Sequence, residues 1–362
     1  MPTVEHLSAP WLGAIFLAAA TATWIAGVQL SNMTDVLSER WRLGQALGGV
    51  ILLAISTNLP EIAITASAAL AGQMGLAVGN ILGGIAIQTV VLVILDAFGA
   101  RNGPPLTFRS VSLLLVLEAA LVNAVLIVAI MATQLPPDLM VARLTPGAVG
   151  ITVLWALGVW LLARAAKGLP WNAPDEGELA EHRQAKPKGH SKTARAAGEL
   201  GRPVSTLTAA LIFAAAAAVT LVAGVLLEQT GSGLADHVGM SGVVFGGTVL
   251  AAATALPEVS TGLASMKLKD YQLAVSDIFG GNAFLPVLFL LASLLSGQSV
   301  LPAAEKSDIY LAGLGVLLTT VYAAGLIFRH KRKVLGMGVD SLVVLVLYVI
   351  GIGGLFAIAR GR

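Results

Sequence analysis

Ser56-Thr57-Asn58-Leu59-Pro60-Glu61 lies inside a stretch apolar enough to cross a bilayer, and it returns 197 residues later as Ala253-Thr254-Ala255-Leu256-Pro257-Glu258. The same offset carries Gly83-Gly84 onto Gly280-Gly281, Ala77-Val78 onto Ala274-Val275, Thr23 onto Thr220, and Ala26-Gly27-Val28 onto Ala223-Gly224-Val225. A constant offset over three apolar segments is the mark of duplication. An ionisable side chain within a bilayer is costly and by default faces a cavity or the bundle interior. Two of them at equivalent positions of an internal repeat read as the core of a transporter.

Composition agrees. Of 362 residues, 56% are hydrophobic and 12% charged, and the mean hydropathy is +0.85. Soluble domains carry roughly a quarter charged residues, so the chain reads as a polytopic membrane protein. With no cysteine, it has no disulfide, thiolate metal site or cysteine nucleophile. Residues 1–6 contain an acid and no Lys or Arg, unlike the basic start of a cleaved signal, so the first apolar stretch is expected to be retained.

Apolar runs of roughly 20 residues, the length that spans the hydrocarbon core, fall at about 10–30, 43–70, 73–97, 110–131, 146–166, 204–228, 241–266, 271–296, 309–328 and 338–359. Ten spans put both termini on one side of the membrane. Arg143, Lys306, Arg360 and Arg362 then lie with the termini; the other eighteen Lys and Arg lie opposite, among them Arg40, Arg42, Arg101, Arg109, Lys267, Lys269, Arg329, Lys331, Arg332 and Lys333. Basic loops stay in the cytoplasm, so the termini are expected outside and the polar linker at 167–203 inside. The repeat offset moves the second span onto the seventh, five spans on, and an odd number inverts the copy. The expected fold class is an all-α membrane protein of ten transmembrane helices as two inverted five-helix repeats, 1–166 and 204–362, joined by the 167–203 linker. In such a fold equivalent residues meet near the midplane, so Glu61 and Glu258 should face each other.

Proline within a helix donates no hydrogen bond and clashes with the carbonyl four residues back. Pro60 is therefore expected to free the carbonyl of Ser56, and Pro257 that of Ala253. Irregular backbone at membrane depth is tolerated where it lines a cavity or is buried in protein. With Glu61, Glu258, Thr57, Thr254 and Asn58, these carbonyls form an all-oxygen set bearing two negative charges. Such a set suits hard cations: Ca²⁺ takes about six to eight oxygens, and carboxylate with carbonyl favours Mg²⁺, Ca²⁺ or Mn²⁺. For Thr57, Thr254 and Asn58 helix packing is the competing role. Two desolvated carboxylates make the empty site unfavourable, and one Ca²⁺, Na⁺ ions or protons relieve it. A site that reorients only when relieved carries one cation in and another out, which is antiport.

A second motif aligns Gly79-Asn80-Ile81-Leu82-Gly83-Gly84-Ile85-Ala86-Ile87-Gln88 with Ser276-Asp277-Ile278-Phe279-Gly280-Gly281-Asn282-Ala283-Phe284-Leu285. Small residues four apart let helices approach closely. Asn80, Gln88, Asp277 and Asn282 exceed what packing needs and are candidates for the ion pathway, with solvation the rival role for Asp277 near the cytoplasmic end. Glu118, in the fourth span, faces Gly315 at the repeat offset; it reads as a proton relay or as a protonated, hydrogen-bonded group. Asp96 is expected at the interface within reach of Arg101. Asp138, Glu228, Asp236, Glu305 and Asp308 are expected on the outer face.

On these motifs the chain resembles the cation/Ca²⁺ exchanger superfamily, the sodium/calcium exchanger group in particular, over its whole length. The family pattern is Gly-Thr-Ser-Leu-Pro-Glu in both copies, then Gly-Asn-x-x-Gly-Ser-Asn followed three residues later by Asn or Asp. The resemblance implies Glu61 and Glu258 as Ca²⁺ ligands supported by Thr57 and Thr254. The chain departs at Asn58 and Ala255 for the serines before Leu-Pro-Glu, at Gly84 and Gly281 for those of the second motif, at Gln88 for Asn, and at Leu285 for Asn or Asp. With oxygens lost around the positions of Na⁺, protons join Na⁺ as candidate counter-ion.

The function expected is a secondary antiporter exchanging Ca²⁺, or a similar divalent cation, for Na⁺ or H⁺. An exchanger without Ca²⁺ transport, or a cation sensor or channel, remains the alternative. Hydrolysis by paired acids fits poorly, because two glutamates held by symmetry do not divide acid from base. No cofactor beyond the transported cations, no nucleic acid and no protein partner is read from the sequence, and the linker carries no Ca²⁺-binding loop pattern.

Overall fold

A computed structural model describes residues 7–40, 53–100, 103–166 and 205–360. The 167–203 linker, the start of the expected 43–70 span, Arg42, Arg101 and residues 1–6 lie outside them. The described residues form a helical bundle: α1 (Ala9–Arg40), α2 (Leu53–Thr57 and Leu59–Ala71), α3 (Met74–Gly99), α4 (Leu113–Ala132), α5 (Pro146–Ala165), α6 (Thr206–Val238), α7 (Gly242–Thr254 and Leu256–Lys267), α8 (Tyr271–Ser296), α9 (Lys306–Phe328) and α10 (Val339–Arg360). Eight of these are long and apolar enough to cross a membrane, and α7 makes a ninth if its halves, bent by 41°, count as one span. The described part of α2 is shorter than a span. One departure from all-helical structure is a two-residue hairpin, Lys333–Val334 with Met337–Gly338, at the turn between α9 and α10.

The repeats are inverted, and side-chain contacts show it. Helices α1 and α6 are equivalent at the 197-residue offset and pack antiparallel. Arg40 Nη1 donates to Thr206 Oγ1 at 2.8 Å, Met33 and Leu37 pack with Ala209, Ala26 and Leu30 with Ala216, and Ala19 and Ala20 with Ala223 and Leu227. A two-fold that exchanges two antiparallel spanning helices lies in the membrane plane. Contacts across it are reciprocal, as symmetry requires: the Cα of Gly27 leaves no room for a side chain against Pro257, and that of Gly224, its equivalent, none against Ala63 and the Pro60 backbone. Asn123 donates to Thr320, its own equivalent, at 3.0 Å.

Both α2–α3 and α7–α8 turn through the same corner. Gly72 (φ 77°) and Lys269 (φ 62°), equivalent residues, are left-handed. Gln73 N donates to Ala68 O at 2.8 Å, and Asp270 N to Ser265 O at 2.9 Å, the Schellman closure of a helix end. Lys269 adopts without glycine a conformation that usually favours it, so the repeated architecture overrides local preference there.

Helices α1 and α6 run about ten residues past the expected 10–30 and 204–228. Their polar ends find partners that spacing does not reveal: Thr34 donates to Ser56 Oγ at 3.2 Å, Ser67 to Glu228 Oε2 at 2.7 Å, and Ser232 to Gln73 Oε1 at 2.5 Å. Glu228 is therefore buried, not solvated on the outer face, and so is Asp308, which caps α9 by accepting from Glu305 N at 2.7 Å. Asp138, Asp236 and Glu305 are exposed as expected. Asp96 corrects the interfacial reading: it is fully buried and accepts from Leu106 N (2.7 Å), Gly338 N (2.6 Å) and Ser341 Oγ (2.7 Å), which pins the α3 end to the α9–α10 turn.

Candidate cation site

Proline breaks both motif helices at the expected place. Pro60 and Pro257 occupy the first turn of Leu59–Ala71 and Leu256–Lys267, a position that requires no N–H from them. Asn58 and Ala255 sit at the breaks. Glu61 and Glu258 follow in the first turn of each resumed helix, where helix dipoles favour negative charge.

The two glutamates meet inside the bundle. Glu61 is 0% exposed and Glu258 2%, and the two carboxyls lie within electrostatic reach of each other. None of their four carboxylate oxygens has a partner at hydrogen-bond distance among the described residues. Thr254 stands beside Glu61, but its hydroxyl lies 3.2 Å from the Ala251 carbonyl, to which it donates. Buried polar groups are nearly always satisfied, so four such oxygens on two buried acids make the pair a candidate set of cation ligands.

Ser56, Thr57, Asn58, Ala253 and Thr254 are all buried. Asn58 and Gln88 converge on Gly281: a Cβ there would lie 3.1 Å from Asn58 Nδ2 and 3.3 Å from Gln88 Oε1. At the equivalent place the bare face of Gly84 meets Leu285, 3.3 Å from such a Cβ. The site is thus lopsided, amides on one flank and Leu285 with Ala255 on the other. Asn80 is fully buried, and neither of its amide atoms has a partner among the described residues. Asn282 donates to Thr89 Oγ1 at 3.1 Å. Asp277 accepts from Thr261 Oγ1 at 3.2 Å and lies within electrostatic reach of Glu258. Glu118 is buried and accepts from Ser276 Oγ at 2.9 Å.

The glycines pack as expected, against α7. Side chains on Gly79 or Gly83 would strike the backbone of Val243 or Gly247. Sequence reasoning missed Thr23, Thr220 and Thr65, buried with hydroxyls that have no partner among the described residues; the first two were visible as a repeated pair. It also missed Thr261 and Ser276, whose partners are set only by packing.

The fold and its two repeats place the chain in a class of membrane cation exchangers, a family of transporters and not of enzymes. The chain belongs to the sodium/calcium exchanger family, whose model matches residues 11–164 and 208–357. It is 28% identical over 333 residues to the inner membrane protein YrbG of Escherichia coli (strain K12), covering 89% of this chain and 93% of that one. It is 25% identical over 287 residues to the putative antiporter CaxA of Alkalimonas amylolytica, covering 78% and 81%. Among solved structures, the sodium-calcium exchanger NCX_Mj soaked with 2.5 mM Na⁺ and 0.1 mM Ca²⁺ superposes with a TM-score of 0.59 at 18% identity, over 95% of this chain and 98% of that one. The H⁺/Ca²⁺ exchanger CAX superposes with a TM-score of 0.62 at 13% identity, over 97% and 88%. At those identities the likeness is one of fold.

Proposed function

We propose that the protein is a secondary antiporter that exchanges Ca²⁺, or a similar hard divalent cation, for Na⁺ or H⁺ by alternating access. The observation that carries this reading is the pair Glu61 and Glu258: two buried carboxylates from inverted copies, with no partner at hydrogen-bond distance among the described residues for any of their four oxygens. One divalent ion neutralises both. Thr57, Thr254, Asn58 and the carbonyls of Ser56 and Ala253 complete an oxygen shell of the kind Ca²⁺ takes. Asn80, Gln88, Asp277 and Asn282 line the way in. The relatives' names, an H⁺/Ca²⁺ and a sodium-calcium exchanger, support the same class of cargo.

Leu285 beside Gly84 favours protons as counter-ion, because an apolar side chain fills one flank of the centre. In our orientation the Lys267, Lys269 and Arg329 face is cytoplasmic and the termini are outside, in keeping with the positive-inside rule. The test is counterflow in proteoliposomes. An exchanger takes up ⁴⁵Ca²⁺ faster when unlabelled Ca²⁺ is present inside. Uptake indifferent to internal Ca²⁺ describes a channel, and no flux from folded protein ends the reading.

A further inference from the structure

Helices α9 and α10 leave a groove between them beside the turn at Arg329. Val321, Ala324 and Phe328 of α9 and Val339 and Val343 of α10 form its walls, His330 stands at its rim, and it encloses about 190 Å³. One water needs only about 15 Å³ but also two to four polar partners, which apolar walls do not offer. Phe328 is 71% exposed and Val343 40%, so the groove opens sideways from two spanning helices, onto the surface that meets lipid.

The floor of the groove is charged. Gly325 and Asp340 both line it, and the Asp340 carboxyl fills the space that a side chain on Gly325 or on Gly338 would need. Asp96 Oδ2 crowds the same place on Gly338, so two carboxyls converge there. Asp96 is held by three donors. Asp340 Oδ2 is shut off from water and has no partner among the described residues. The basic side chains nearest in sequence point elsewhere. Arg329 stacks on the Phe108 ring at 5.0 Å and donates to the Phe108 carbonyl at 3.4 Å. Lys331 stacks on the same ring at 5.1 Å, and Lys333 donates to the Ala100 carbonyl at 2.6 Å. An apolar groove open to lipid thus ends on a buried carboxylate oxygen that lacks a donor.

We propose that this groove binds one phospholipid with a primary ammonium headgroup, of the phosphatidylethanolamine class. The ammonium donates to Asp340 Oδ2, exposed His330 and Arg332 receive the phosphate at the rim, and an acyl chain lies along Val321, Val339 and Val343. A primary ammonium brings positive charge and N–H donors together, and charge-assisted hydrogen bonds are the strong ones. A trimethylammonium headgroup has the charge and no donor, so it leaves the buried oxygen unpaired, the mismatch that discriminates most sharply. A phosphatidylglycerol brings net negative charge toward two carboxyls. A bare cation leaves the apolar walls unfilled. Because the α9–α10 turn closes over Asp96, the bound lipid clamps that turn to the end of α3. The binding is expected whether or not the protein carries Ca²⁺.

The test uses the full chain, delipidated in detergent and titrated with dioleoyl phosphatidylethanolamine, phosphatidylcholine or phosphatidylglycerol. Native mass spectrometry counts the lipid retained, and the melting temperature reads its effect. The wild type is expected to hold one phosphatidylethanolamine about tenfold more tightly than either other lipid, the scale of one charge-assisted bond, and to melt higher with it. Ethanolamine alone is expected to give no protection. Asp340→Asn removes the preference for phosphatidylethanolamine over phosphatidylcholine. Val343→Trp fills the groove from its lipid-facing side, so it weakens retention of phosphatidylethanolamine about tenfold or more while the lipid-free protein melts as the wild type does. Equal binding of the three lipids, tighter binding of phosphatidylglycerol, full protection by ethanolamine, or wild-type lipid retention in Val343→Trp overturns the proposal.

Discussion

Replacing Glu258 by glutamine keeps the volume of the side chain and removes one of the two central charges. The substitution has two opposite effects, each with a magnitude. Breaking a buried charge pairing costs about 3–5 kcal/mol, so Ca²⁺ affinity is expected to fall by roughly a hundred- to several-thousand-fold at 1.4 kcal/mol per tenfold. The ion-free protein gains, because Glu61 no longer faces a second buried carboxylate. Thermal unfolding in detergent reads both. Ca²⁺ at about a hundred times its Kd stabilises a one-site protein by about 2.7 kcal/mol, so the wild type melts higher as Ca²⁺ is titrated. Glu258→Gln is expected to melt higher than wild type without Ca²⁺ and to gain nothing from Ca²⁺ at concentrations that saturate the wild type. A variant with the wild-type Ca²⁺ response, or one that melts lower when empty, refutes the claim that these carboxylates wait for a cation.

Other expectations follow from the same geometry. Leu285→Asp places a carboxylate beside Gly84 and is expected to confer Na⁺ dependence on Ca²⁺ uptake, measured under an imposed Na⁺ gradient; unchanged Na⁺ response argues against the missing-oxygen explanation. Gly83→Val drives a side chain into the Gly247 backbone, an overpacking expected to cost at least about 1–3 kcal/mol and visible as a lower melting temperature. Asp96→Ala strands three buried donors. Each left unsatisfied costs about 1–3 kcal/mol, so expression and melting temperature should fall while Ca²⁺ transport per folded molecule stays near wild type.

The duplication made most of the fold legible. An apolar run announces itself without help from other segments, and an offset shared by Pro60 and Pro257, Gly27 and Gly224, and Thr23 and Thr220 fixes both the repeat and its inversion. The central acids were legible for the same reason, since a glutamate beside a proline in an apolar stretch has few uses. What stayed hidden was every feature settled by a distant partner. Glu228 reads as an outer-face acid until Ser67, 161 residues away, is seen against it. Asp96 reads as interfacial until the α9–α10 turn closes over it. Ser276 reads as a small packing residue like Gly79, and only the fold brings Glu118 to its hydroxyl. Burial of a polar side chain is a property of the assembled bundle, so hydropathy along the chain cannot place it.

The central claim is that a divalent cation relieves the Glu61 and Glu258 pair and leaves only in exchange for another cation. Purified protein in sealed proteoliposomes, given ⁴⁵Ca²⁺ outside and an outward Na⁺ or H⁺ gradient, tests it directly. The account predicts accumulation of Ca²⁺ above its equilibrium level under at least one gradient, abolished when that gradient is collapsed and absent in Glu61→Gln and Glu258→Gln. Folded wild-type protein that accumulates no Ca²⁺ under either gradient, or glutamine variants that accumulate it as well as wild type, contradicts the account.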